Sequence, residues 1–140
     1  MAFAIKAEIR DPRTKVFVFN AQKTMYRGKN VAEGDTIYLF ASENQGGRGL
    51  LARGIITTTK TIAKKRGIAR QTSRVSIAVK RTVLAERALG RRELKPFSDW
   101  NDGQPETELN FKFYRQATNK IISISAGAAK FLDGFFSARG

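Results

Sequence analysis

The feature that most constrains this chain is its supply of short apolar runs, rich in β-branched and aromatic residues and each ended within a few positions by glycine or polar residues. Such runs favour strands over long helices. Val16-Phe17-Val18-Phe19 is continuous and apolar, as expected of a strand buried on both faces. Thr36 to Phe40, Leu50 to Thr57 and Lys120 to Ile124 read as further strands, with Gly54 marking a bulge or tight bend. Val75, Ile77 and Val79 alternate with Ser76, Ala78 and Lys80, the period of a half-buried strand.

Between the runs the sequence predicts simpler pieces. Met1 to Thr14 reads as a leader with a turn at Asp11-Pro12-Arg13, and Asn20 to Asn30 as a loop. Asn44 to Gly49 is a glycine-rich hairpin loop without the spacing of a nucleotide-hydrolysing phosphate loop. Thr82 to about Leu89 suits a short helix stopped by Gly90. Leu94 to Pro105 is irregular, and a helical turn is expected around Asn110 to Phe113. Ser125 is placed to cap a closing helix from Ala126 to about Phe136, with Ala129, Leu132 and Phe136 on one face. At 140 residues, the expectation is a single α+β domain over residues 1–140.

Composition narrows the chemistry. The chain has no Cys and no His, which removes disulfides, thiolate chemistry, His-based metal sites and His-dependent triads. Any catalysis must use Lys, Tyr, Ser, Thr or a carboxylate of displaced pKa. The expectation is therefore a non-enzyme with no cofactor and no metal. The N-terminus lacks the pattern of a signal peptide and no apolar run would span a bilayer, so a cytoplasmic protein without a membrane partner is expected. A formal charge of +14 attracts polyanions, with nucleic acid, RNA or DNA, the expected partner.

The order of the pieces resembles the PUA-like superfamily and, within it, the EVE domain. Val31-Ala32-Glu33-Gly34-Asp35 entering Thr36 to Ser42 resembles that family's Gly-Asp turn into a core strand. Gly49 to Thr57, Arg74 to Arg81 and Tyr114 to Phe136 resemble its later strands and closing strand–Ser–helix unit. The resemblance implies a β-pseudo-barrel of about five to six strands with short flanking helices. It further implies a cleft for a base, often modified, since such domains resemble readers of methylated adenine and modified cytosine. A related group, the ASCH domains, includes hydrolases acting on RNA or small amides, which leaves a small ribonuclease or amidohydrolase as one alternative. A basic RNA or ribosome accessory protein without a base pocket is the other. EVE domains follow their first strand with a Lys-Ser-Glu-Pro-like segment; taking Val16 to Phe19 as that strand, Asn20-Ala21-Gln22-Lys23 departs from it.

Candidate residues fall into two groups. Lys60 to Arg92 holds eleven cations against Glu86 alone, and Lys60, Lys64, Lys65, Arg66, Arg70 and Arg74 are the expected backbone-binding residues. The alternative is a solvated charged face. For the base, Trp100 offers a stacking surface, and Asn20, Gln22, Phe40, Ser42 and Tyr114 are expected to converge on a small planar ligand. The competing readings are turn chemistry for Asn20 and Ser42, and a plug at one barrel end for Trp100.

Overall fold

The computed structural model describes residues 2–62, 74–116 and 119–136. Its six strands are β1 (Ala2–Ala7), β2 (Val16–Met25), β3 (Thr36–Ala41), β4 (Gly49–Ile62), β5 (Arg74–Leu84) and β6 (Lys120–Ile124). They close a barrel in the order β1-β3-β4-β5-β2-β6. The β1–β3 and β2–β6 pairs are parallel and the other pairs antiparallel. Among the described residues three α-helices, α1 (Arg91–Leu94), α2 (Pro105–Asn110) and α3 (Ala126–Asp133), accompany it, with a π-helical turn at Phe111–Gln116 continuing α2.

Strand alternation divides the core in two. Phe3, Ile5, Ile37, Leu39, Phe17, Phe19, Ala52, Ile56, Val75, Ile77, Val79 and Ile121 fill the barrel. The opposite faces of β1, β3 and β6 place Ala4, Tyr38, Phe40, Ile122 and Ile124 under a helical layer supplied by Leu94, Leu109, Phe113, Ala128 and Leu132. Strands covered on both faces carry near-continuous apolar sequence, and that is what β1 and β3 show. This α+β pseudo-barrel is the architecture expected from the sequence.

Several local expectations are corrected. The supposed leader contains β1, a central strand paired on both sides. Its Lys6 interrupts the apolar run and hides the pattern. Val16 to Phe19 is half-buried: Phe17 and Phe19 face the interior, while Val16 and Val18 are 52% and 62% exposed. The helical layer does not reach that side. The expected loop after Phe19 is instead a continuation of β2 to Met25, through a register shift between Phe19 and Gln22 where Ala21 has φ 51°.

The expected helix from Thr82 to Leu89 does not form. β5 runs to Leu84, its pairing with β4 kept through a bulge at Arg53/Gly54, and Leu89 then bridges to Gly49. Gly54 does mark the bend: a Cβ there would lie 2.6 Å from the Lys80 carbonyl oxygen. Ser125 caps α3 as expected, its hydroxyl accepting the Ala128 N–H at 3.0 Å, but the helix ends at Asp133. Phe136 lies beyond it and packs its ring against Tyr38. Among the described residues, no helix is long and apolar enough to cross a membrane.

Candidate functional site

The β2 bulge builds a polar concavity. Asn20 and Gln22 line a cavity of about 310 Å3 together with Val18 and Phe19 of the same strand, Ala7 at the end of β1, the following Glu8, Gln45 and Asn119. Left-handed backbone at a non-glycine residue costs free energy and persists only where its surroundings hold it. Two of the residues here, Ala21 (φ 51°) and Asn119 (φ 58°), adopt it. The restraint on Ala21 is visible. Its N–H donates to Ser76 Oγ at 2.9 Å, and its carbonyl accepts from Arg74 Nη1 at 3.1 Å. Gln22 Nε2 donates to the Asn20 carbonyl at 2.7 Å, a turn-forming bond that leaves the Gln22 amide oxygen for another partner.

Both residues that restrain the bulge belong to β5, where Arg74 pairs with Ile62 and Ser76 with the exposed Lys60. The described ends of the basic segment, Lys60 and Arg74, thus belong to the strand pair that fixes the bulge. Arg74 is spent on Ala21 and on the bulge's shape, and Lys60 is exposed. Lys64, Lys65, Arg66 and Arg70 lie outside the described residues.

The other expected base-binding residues sit elsewhere. Phe40 is fully buried under the helical layer with its ring 4.6 Å from that of Phe113, because even-numbered positions of β3 point out of the barrel toward the helices. Ser42 is buried as well, its N–H bonded to the Ala7 carbonyl and its own carbonyl accepting the N–H groups of Gln45 and Gly47. Trp100 is 39% exposed on the helical cap, edge-on to Phe111, in a separate cleft of about 210 Å3 with Gln104, Thr107 and Glu108. The structure therefore brings Asn20 and Gln22 together, while Phe40, Ser42, Trp100 and Tyr114 do not line their cavity.

Tyr114 belongs to a half-buried cluster around the buried Lys6 that the sequence did not reveal. Its hydroxyl donates to the Glu43 carboxylate, 2.8 Å from Oε2 and 3.0 Å from Oε1. Lys6 Nζ lies 4.2 Å from the Tyr114 ring centroid and donates to the Phe113 carbonyl at 2.9 Å. The Arg91 N–H donates to Glu43 Oε2 at 2.6 Å. Burial lowers the Lys6 pKa to about 8, with Glu43 opposing the shift and Arg91 adding to it. Burial and the Glu43 carboxylate both push the Tyr114 hydroxyl well above its ordinary pKa.

Among the described residues, no group of three or more metal-ligating side chains gathers.

No protein-family model and no curated protein sequence matches the chain. Solved structures do. The DUF55 domain of human thymocyte nuclear protein 1 superposes with a TM-score of 0.62 at 12% identity, covering 94% of this chain and 95% of that one. Human THYN1 protein in complex with 5-methylcytosine containing DNA gives 0.61 at 12% identity over 93% and 94%. A point mutant of the ZmASCH protein from Zymomonas mobilis gives 0.54 at 9% identity over 97% and 99%.

Proposed function

Because this chain has the PUA-like fold, we propose that it is a nucleic-acid-binding module in which the Lys60–Arg74 region grips the phosphate backbone and the Asn20–Gln22 cavity inspects one unpaired or flipped base. The observation that carries the reading is the joint held by Arg74 and Ser76. The strand that leaves the basic segment is the one that fixes the bulge carrying both amides. A strand drawn in by charge would thus arrive beside the cavity. The cavity stands at the small end of the ~300–1,000 Å3 range of ligand sites, fitting one planar group. Amides suit base edges because each offers donors and an acceptor. Extruding a base costs a few kcal/mol, least for single strands and weakened pairs. A solved structure of the same fold holding 5-methylcytosine DNA supports the polyanion and the modified base.

The test is a binding screen of oligonucleotides that differ in one base or base modification, run on the wild type and on Asn20→Ala/Gln22→Ala. The wild type should prefer one base. The double variant should lose roughly 10-fold or more of that preference, the worth of one bidentate contact, while keeping most of its affinity for unmodified strands. A preference unchanged in the double variant would remove the cavity from the reading.

One observation favours a second reading, a small ASCH-like hydrolase: Lys6, with its lowered pKa, sits beside Glu43 and Tyr114. Against it, Lys6 is 1% exposed and its ammonium is already bonded to Phe113. Turnover of labelled RNA that disappears in Lys6→Met would favour the enzyme.

A further inference from the structure

A groove of about 720 Å3 opens at the end of the barrel opposite the Asn20–Gln22 cavity: β1 contributes its first residue, Ala2, to the groove and its last, Ala7, to the cavity. The groove takes its cations from two elements. Arg53 stands on β4, and the exposed Lys130 stands on α3, one turn before Asp133. Asp133 fixes the arginine. Arg53 Nη1 donates to its carboxylate at 2.8 Å, the Tyr38 hydroxyl donates to the same oxygen at 2.5 Å, and the Phe136 ring centroid lies 5.3 Å from the guanidinium. A guanidinium carries five N–H donors, so one held through Nη1 still presents a fork to an anion. Its orientation is set before the ligand arrives, which lowers the entropy lost on binding. Arg53 and Lys130 against Asp133 leave the groove positive.

The groove is joined to the basic segment by the two strands that lead into it. β4 and β5 hold Arg53, Lys60, Arg74, Lys80 and Arg81, and neither Asp nor Glu. Arg74 and Arg81 donate to the backbone carbonyls of Ala21 and Arg13. Lys60 and Lys80 stay exposed along the strip, opposite Ser76 and Ile55. From Lys60 to Arg53 the extended backbone runs roughly 23 Å. Carboxylates border the strip on both sides. Glu33 and Asp35 belong to the turn against the β3 edge of β4, where the Ile56 N–H donates to the Asp35 carbonyl and the Ala32 N–H to its carboxylate. Glu8 and Asp11 line a concavity against β2, on the other side of β5. A polyanion leaving the basic segment is repelled from both flanks and kept over β4 and β5. We propose that the Arg53–Lys130 groove is a second phosphate site, which takes a phosphodiester of the strand that the basic segment holds. The site rests on the nucleic-acid reading and lengthens its footprint across the barrel wall.

Oligonucleotide length separates this site from the rest of the interface. Two single strands carrying the same preferred base are titrated at several salt concentrations, one of about 4 nucleotides and one of about 16, the limits of common single-strand site sizes. The wild-type log–log salt slope should be steeper on the long strand, because each added phosphate contact contributes about 0.7. Arg53→Gln/Lys130→Gln should flatten the long-strand slope by about 1.4, leaving the short-strand slope and the base preference as they were. Lys130→Gln alone keeps the Arg53–Asp133 pair and should remove about 0.7, so the result does not depend on breaking that pair. A wild-type slope equal on both strands overturns the proposal, as does a long-strand slope that both variants keep. A groove that serves a free nucleotide instead would bind a nucleoside monophosphate and add no length dependence, which also overturns it. A wild type that binds neither strand removes the nucleic-acid reading itself, so the two failures are told apart.

Discussion

Lys6 lies outside the barrel wall, beneath the π-helical turn, where water is excluded and one carbonyl and one aromatic face receive its charge. Those partners do not offset the desolvation, and its pKa falls to about 8. An unfolded lysine titrates near 10.4. Between the two values the unfolded chain holds more protons than the folded one, so stability rises with pH in that window. Below about pH 8 the cost of the buried charge is present in full. Above about pH 10 the raised pKa values of Tyr38 and Tyr114 act in the opposite sense, since the folded phenols keep protons that unfolded ones release. The wild-type melting temperature, measured relative to Lys6→Met, should therefore climb from about pH 8 to about pH 10. A difference that stays flat over that range would mean the ammonium is not buried in its charged form.

At the scale of elements, the strands that positioned the site were legible where burial follows alternation and were missed where it does not. β3, the start of β4, β5 and β6 read correctly because their apolar positions face a core. β1 was missed because its outward positions meet helices instead of water, and the lysine buried there looks like a surface residue in the sequence. The false helix at Thr82 to Leu89 arose where a β-bulge breaks the period of two. The amide cavity is half legible: the sequence points to Asn20 and Gln22, but Ala7, Gln45 and Asn119 reach it through pairings distant in sequence. The bridge opening β4 gives a sharp test of such a pairing. Gly49 has φ +86°, and a Cβ there would lie 2.2 Å from the Leu89 carbonyl oxygen, the acceptor for the Leu50 N–H. The nearest atoms, of Leu89 and Gly90, are all backbone, so nothing flexible can yield. Gly49→Ala should cost more than about 3 kcal/mol in urea unfolding, as expected for backbone strain combined with a lost bridge. Gly34, with φ +88° and open space around it, should cost only about 1–2 kcal/mol on the same change. Equal losses would place the strain in φ alone and leave the bridge without a role.

For the whole molecule, the question is whether charge and cavity act as separate terms. Twenty-six cations against twelve acids set up a field that extends beyond any one contact, yet phosphates are neutralised one at a time, each releasing counterions. With about five phosphates engaged on a single strand, log Kobs should fall against log salt with a slope of roughly −3 to −4. Replacing Lys60, Lys64 and Lys65 by Gln removes three of those charges and should flatten the slope by about 2, at some 0.7 per phosphate. The weakening should be uniform across sequences, because phosphates carry no base identity. Base preference should survive in this variant, since Arg74 and Ser76 still hold the bulge. Titrations at several salt concentrations with a preferred and an unpreferred oligonucleotide measure both quantities at once. If the slope stays unchanged while the preference collapses, the lysines are shaping the cavity rather than holding the strand, and the division of labour between basic segment and barrel is wrong.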